Sequence, residues 1–337
     1  MIEAMEAKPV DTLPVGPEWW YEPKWDGFRC LASRDDRTVT LMSKAGKPLT
    51  RYFPDVVESL LALSATRFVL DGEVVVPANG ALSFDQLLQR IHPAASRVKL
   101  LASHTPAWLI VFDLLGDGKA SLVETPLAAR RARLEAFMQR YAARSPSIRL
   151  SPTTASVAIA RRWLGGDRTG LDGVVAKRRD LPYQAGARTG MQKVKRIRTA
   201  DCVVGGFRYA SQGGGIGSLL LGLYDDAGLL DHVGFTSSFT AIQRADLKPR
   251  IDPRIGGSGF TGRAPGGPSR WSTERSTEWI ALAPTLVVEV AYDHFSDGRF
   301  RHGTAFRHWR PDKAPRQCTT DQLPHEGHSA LRLLRRR

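Results

Sequence analysis

Short runs of apolar and β-branched residues punctuate the first half of the chain, with one long helical stretch among them. "TVTLMS" (38–43), "RFVLDGEVVV" (67–76) and "AWLIVFDLL" (107–115) predict strands. "PLAARRARLEAFMQRYAAR" (126–144) has Pro126 near its start and leucine and phenylalanine at helical spacing, and predicts a helix. "LDGVVAKRR" (171–179) and "MQKVKRIR" (191–198) predict two further short strands with a polar loop between them. Beyond Ala200 the pattern changes. "DCVVGGFRYASQGGGIGSLLLGLYDDAGLLDHVGFTSS" alternates β-rich runs with Gly and Asp turns, as hairpins in a small barrel do. Helix-like "TAIQRADLKPRI", a Gly/Pro-rich stretch and a strand-like "TLVVEVAYDHF" follow. The basic tail "EGHSALRLLRRR" reads as a short helix or a frayed end. The fold class expected is therefore α+β: a larger mixed domain over 1–199 and a small β-barrel over 200–337, joined near Ile197 to Cys202.

One stretch breaks the pattern. In "YEPKWDGFRC" (21–30), Trp25 and Phe28 suit a strand entering a core, yet Glu22, Lys24, Asp26 and Arg29 crowd the same ten residues around Gly27. A lysine beside tryptophan is ordinarily a surface residue lying over the ring, so Lys24 alone carries little.

Composition narrows the partners. The 337 residues carry 48 Lys and Arg against 34 Asp and Glu, a formal charge of +14. That balance favours a polyanion such as DNA or RNA. No apolar run approaches the ~20 residues of a membrane span. The N-terminal stretch has no apolar core of a secretory signal. Three distant cysteines, Cys30, Cys202 and Cys318, make no disulfide frame or metal-ligand spacing, and a cytoplasmic setting is expected.

Ordered blocks supply the chemistry. After Lys24-x-Asp26-Gly27 come Glu73 in "LDGEVVV", Phe112 and Asp113 in "IVFDLL", Asp172 and Lys177 in "LDGVVAKRR", and Lys193 and Lys195 in "MQKVK". "RHGTAFRHWRPDKAP" then offers Arg301, Arg307, Arg310, Asp312 and Lys313. In this order the blocks resemble motifs I, III, IIIa, IV, V and VI of the covalent nucleotidyltransferases, and most closely the ATP-dependent DNA ligases. Among these, the chain is most similar to the short bacterial LigC-type ligases, since motif I begins too early for a DNA-binding domain ahead of it.

The resemblance implies an adenylation (nucleotidyltransferase) domain followed by an OB-fold. It also implies nick sealing in duplex DNA through a lysyl-AMP at Lys24. A free lysine is neutral only about once in a few thousand at pH 7, so neighbouring cations are expected to lower its pKa. Arg29, Lys193 and Lys195 are expected to provide that field and to hold phosphate oxygens. The implied cofactors are ATP and Mg²⁺ or Mn²⁺, with Glu73 and Asp172 as metal carboxylates. The family usually has Glu where Asp172 stands, one methylene longer. Asp26 would orient the loop or a metal-bound water. Phe112 would stack on adenine, Glu22 would meet its exocyclic amine, and Lys177 belongs to the nucleotide site.

Motif Ia has Lys44 in "MSKAGKPL" where arginine is usual, with Arg51 as a second candidate; lysine lacks the bidentate fork. Arg301, Arg310 and Lys313 would meet the β- and γ-phosphates when the second domain closes, with a hinge near Ile197 to Asp201. Arg178, Arg179, Arg188, Arg196 and Arg198 suit phosphate contacts that ignore sequence. "SQGGGIGS" lacks the Gly-Lys-Ser/Thr of a phosphate loop and reads as a hairpin turn. The expected partner is nicked double-stranded DNA, met by a monomer; repair or end-joining partners stay open. The competing readings are an RNA ligase or guanylyltransferase, and a catalytically dead OB-fold binder.

Overall fold

The computed structural model describes residues 2–165, 171–210, 214–266, 278–301, 303–323 and 329–334. The chain forms two compact units, Met1–Arg196 with His325–Arg337, and Ile197–Pro324.

Among the described residues the first unit contains two main sheets and a small hairpin, Pro77–Ala78 with Ala81–Leu82. The larger runs in the order Ile148–Leu150, Trp108–Asp117, Arg67–Val75, Phe28–Asp35, Thr38–Ser43, with Ala120–Ser121 beside Trp108–Asp117. Its pairings are antiparallel apart from Ile148–Leu150, which runs parallel to its neighbour. The smaller runs Lys8–Pro9, Met191–Lys195, Gly173–Arg178, Trp19–Lys24. The strands the sequence predicts are thus present. The predicted helix is Leu127–Phe137, continued by a π-helical turn over Met138–Ala142. It buries Leu127, Leu134 and Phe137.

The charged stretch Tyr21–Cys30 is two strands rather than one. Trp19–Lys24 belongs to the smaller sheet and Phe28–Asp35 to the larger, so Trp25, Asp26 and Gly27 form the crossing between them. Gly27 is required there, because a Cβ would lie 2.2 Å from the Val74 carbonyl oxygen. Three residues therefore separate Lys24, at the end of one sheet, from the start of the other, and Trp25 anchors the crossing by donating from its indole N–H to Ser151 Oγ at 3.0 Å.

The second unit is a closed barrel. Its sheet runs Ile216–Tyr224, Leu230–Ser238, Thr304–Trp309, Val287–Tyr292, Arg198–Tyr209, Ile280–Ala281. Arg198–Tyr209 pairs with both Val287–Tyr292 and Ile216–Tyr224, which joins the two ends. Leu230–Ser238 and Thr304–Trp309 pair in parallel. Leu219, Leu221, Val233, Val288 and Val290 fill the interior. The helix Ala241–Ile251 starts at Thr240, whose side chain and that of Gln243 satisfy each other's backbone N–H groups. Residues 211–213, at the start of the predicted glycine-rich turn, lie outside the described residues.

The expected boundary kept the C-terminal tail with the barrel. In the structure the helix Ser329–Arg332 and the residues after it belong to the first unit, where Ala330 and Leu334 join Trp19, Tyr21, Ile110 and Trp163 in one apolar cluster. Among the described residues no helix is long and apolar enough to cross a membrane.

Candidate active site

A cleft of about 170 Å³ in the first unit is lined by residues of both sheets, among them Glu22, Lys24, Arg29, Lys44, Glu73, Phe112, Lys177 and Lys193. Strand register explains how they meet. Across the smaller sheet, Gly173 lies opposite both Lys24 and Lys195, while Val175 lies opposite both Glu22 and Lys193. Side chains two residues apart on a strand share a face, so Lys24, Glu22, Lys193 and Lys177 share one. Gly173 permits the close row: a Cβ there would lie 2.1 Å from the Val194 carbonyl oxygen. On the larger sheet, the pairing steps from Asp71–Asp113 to Gly72–Val111 and leaves Phe112 unpaired in a bulge. Such an extra residue re-aims its side chain, and Phe112 joins the cleft wall.

Lys24 Nζ is in contact with Asp172 Oδ2. Asp172 is itself fixed by its backbone, its N–H donating to Lys24 O at 3.1 Å and its carbonyl accepting from Arg196 N–H at 3.0 Å. Burial alone would lower the Lys24 pKa, but the Asp172 carboxylate, helped by Glu73 and Asp26, raises it above the usual value. This corrects the expected electrostatics. In the free protein the ammonium form of Lys24 is favoured, and the lowered lysine is Lys193, through burial and then the charges of Lys24, Lys195 and Lys44. Glu73 is pushed up to about 7, chiefly by burial.

Arg29 is also placed differently from expectation. Its guanidinium closes on Asp71, with Nε to Oδ1 at 2.5 Å and Nη2 to Oδ2 at 2.6 Å, and Tyr183 donates to the same carboxylate at 2.7 Å. Its charge is therefore paired within the wall, and the charges that raise the Lys24 pKa are those of Asp172, Glu73 and Asp26. Asp71 is fully buried mid-strand. Asp113 likewise receives both arms of Arg130, at 2.8 and 2.9 Å.

The remaining expected residues divide. Lys177 donates to Glu22 Oε2 at 2.9 Å, and both are buried. The Phe112 ring centroid lies 4.3 Å from Lys177 Nζ and 4.6 Å from Arg29 Cζ. Lys44 lines the cleft, whereas Arg51 lies over Tyr52 and donates to the Pro93 carbonyl at 2.7 Å. Lys195 is exposed at the strand end and does not line the cleft, nor does Asp26. Arg178 pairs with Asp180, and Arg179 lies over Trp20. In the barrel, Arg310 donates to Asp201 and Asp312, and Lys313 donates to Asp201 at 2.8 Å. Arg301 donates its backbone N–H to the His294 carbonyl, and Arg307 is exposed.

Sequence reasoning missed the N-terminal wall. Met5, Glu6 and Ala7 line the cleft, and Lys8–Pro9 adds a parallel strand edge beside Gln192 and Lys193. Two paired residues leave no periodicity to read; the one available signal was Pro9, which suits an edge strand.

The carboxylates around Lys24 bear on metal binding. No three His, Cys, Asp or Glu side chains converge as a metal cage among the described residues. A hard divalent cation held by one or two carboxylates and by substrate phosphates needs no such cage, and Glu73 and Asp172 fit that arrangement.

Comparison with known proteins agrees with this geometry. Residues 5–195 match the family model of the ATP dependent DNA ligase domain, and residues 212–313 match that of the ATP dependent DNA ligase C terminal region. DNA ligase C2 of Mycolicibacterium smegmatis is 42% identical, over 98% of this chain and 96% of its own. DNA ligase C of Mycobacterium tuberculosis is 41% identical, over 96% and 93%. A solved Lig E DNA ligase structure shares the fold, with a TM-score of 0.54 at 16% identity, covering 92% of this chain and all (100%) of that one. A lysine-bearing cleft between two sheets, a closed OB barrel and matches along nearly the whole sequence lead to one assignment: the chain belongs to the ATP-dependent DNA ligase family.

Proposed function

We propose that this ATP-dependent DNA ligase uses Lys24 Nζ as its nucleophile and seals nicks in duplex DNA in three transfers. The supporting observation is the convergence of Lys24, Glu73, Lys44 and Lys193 on one cleft, with Asp172 in contact with Lys24 Nζ. Lys24 must lose a proton before it can attack. Asp172, in contact with the ammonium, is the group positioned to take it. Nζ then forms a P–N bond to the α-phosphorus of ATP as the bond to pyrophosphate breaks. Lys193 and Lys44 face the charge that grows on the phosphate oxygens.

In the second transfer the P–N bond breaks and AMP passes to the 5′-phosphate of the nick. In the third, the 3′-hydroxyl attacks that phosphate and AMP leaves. Glu22, Lys177 and Phe112 are assigned to the adenine end of the cleft, and Arg29 to shaping its wall. Asp26 and Lys195, outside the cleft lining, act through the loop and the field they add. Lys44 takes the motif Ia role in preference to Arg51. Arg301, Arg310 and Lys313 of the barrel are assigned to the β- and γ-phosphates.

Glu73 would hold Mg²⁺ or Mn²⁺ with the phosphates, joined by Asp172 while its carboxylate is ionised. When bound, the ion supplies neutralising charge to the triphosphate. Nicked double-stranded DNA is the proposed partner of a monomer, and the three buried free cysteines suit a reducing cytoplasm.

The test is covalent labelling. Incubation with ATP and Mg²⁺ should add one AMP per chain, mapped by peptide mass spectrometry to Lys24, and Lys24→Ala should add none. Label on another side chain, or donation from GTP alone, would overturn the reading. Sealing of nicked RNA in preference to nicked DNA would move the substrate class.

A further inference from the structure

The N-terminal wall presents a negative charge to a cleft meant for a polyanion. Glu6 Oε1 lies 2.9 Å from Lys44 Nζ, and Glu6 Oε2 lies 2.7 Å from both Nε and Nη2 of Arg188. Lys44 and Glu6 line the same cleft as Lys24 and Lys193. We propose that the Glu6 carboxylate is an internal stand-in for the 5′-phosphate of the nick, and that Lys44 and Arg188 together form the clamp which exchanges one for the other. This rests on the ligase reading and adds to it a built-in competitor for the phosphate, Glu6.

Three observations carry the inference. First, the Glu6 side chain is not what holds the segment in place. Met5 N–H donates to Tyr183 Oη at 2.9 Å, Glu6 N–H donates to Ala187 O at 2.9 Å, and Lys8 and Pro9 pair with Gln192 and Lys193. Ala4 and Met5 are buried in an apolar cluster with Leu31, Leu115, Tyr183 and Met191. The segment stays docked whatever the Glu6 carboxylate touches.

Second, the clamp is exchangeable. The side chains of Lys44 and Arg188 are 50% and 64% exposed. Exposed ion pairs are weak, and water can reach all three groups during an exchange.

Third, the donor set suits phosphate better than carboxylate. One ammonium and one guanidinium fork offer more donors than two carboxylate oxygens can use well. A terminal phosphate brings about −1.5 to −2 charge and three strong acceptor oxygens. The carboxylate is held ionised by its hydrogen bonds from Lys44 and then Arg188, so it competes at full charge at neutral pH.

The exchange makes the enzyme discriminate. A nick ending in a 5′-hydroxyl cannot displace Glu6, whereas a 5′-phosphate can. The experiment compares binding of nicked duplexes with 5′-phosphate or 5′-hydroxyl ends, using AMP-loaded full-length protein in EDTA so that no transfer follows. Glu6→Gln should bind the 5′-phosphate nick about 3- to 10-fold more tightly than the parent, the range expected for releasing weak exposed pairs. The 5′-hydroxyl nick should change less than about twofold. Glu6→Gln/Arg188→Ala should lose the gain.

Equal tightening on both nicks would mean only a change in overall charge, and would overturn the proposal. So would no tightening on either, or a gain that survives loss of Arg188. Amide exchange over residues 4–10 checks in each variant that the segment remains docked. AMP loading separates this inference from the one beneath it. If the parent protein takes no AMP on Lys24, the ligase mechanism fails; if it loads normally and Glu6→Gln leaves end discrimination unchanged, only the clamp fails.

Discussion

On the larger sheet of the first unit, buried charges close on one another through two contacts each. Arg29 grips Asp71, and Arg130 grips Asp113. On the smaller sheet, Lys24 meets Asp172 and Lys177 meets Glu22 through a single ammonium. Both arrangements pair opposite charges in the first unit, yet they suit different work. A planar guanidinium held by two oxygens has a fixed geometry and little to gain by leaving it. An ammonium is a point charge on a flexible stem, and can trade one anion for another when a phosphate arrives. The first kind of pair builds the wall, and the second kind is the reactive surface.

Removing one partner from each kind of pair tests this contrast. Asp71→Ala leaves Arg29 buried without its carboxylate and strips Tyr183 of its acceptor, and should destabilise the first unit by about 3–5 kcal/mol. The readouts are its denaturant midpoint and amide exchange in Arg67–Val75. A loss below about 1 kcal/mol would show that the wall pair is as replaceable as the lysine pairs.

The barrel supplies a buried ionisable group of a third kind. His232 is buried with both ring nitrogens lacking a hydrogen-bond partner, packs edge-on to Phe260, and is pushed down to about 3 by burial and then by Arg299 and Arg208. The unfolded chain takes up a proton near pH 6.5 that the folded barrel refuses until about 3. Stability is therefore complete above pH 6.5 and declines as pH falls toward 3, by about 1.4 kcal/mol per pH unit. His232→Leu should flatten the acid limb of barrel unfolding by that slope; an unchanged limb would place the acid sensitivity elsewhere.

The smallest effect on stability belongs to the reactive pair. Asp172→Asn keeps the backbone bonds of that residue and leaves Lys24 beside Glu73 and Asp26, so stability should fall by less than it does in Asp71→Ala. AMP loading of Lys24 should nevertheless slow at least tenfold, because the group positioned to accept its proton is gone. A large fall in stability with normal loading would reverse the roles of the two sheets.

Much of this was readable in advance, for physical reasons. Strands such as Thr38–Ser43 and Gly173–Arg178 carry β-branched or alternating residues whose period survives in the sequence, and Lys24, Glu73, Lys177 and Lys193 sit in ordered blocks. What escaped were contacts between distant segments. A charge in a sequence is most often solvated, so nothing local marks Arg29, Asp71 or Arg130 as buried partners. The direction of the Lys24 shift depends on Asp172, 148 positions away. Glu6 escaped because "MIEAMEAKPV" has no regular period, and its place is set by the edge of another strand.

The C-terminal helix has a practical consequence. Because the chain comes back to the first unit after the barrel, the barrel is an insertion rather than an appendage, spliced in at Ile197 and Pro324. A fragment stopped at residue 199 would bare the berth of Ala330 and Leu334 beside Trp163. Grafting residues 329–334 back onto such a fragment with a short linker should therefore restore solubility that simple truncation loses.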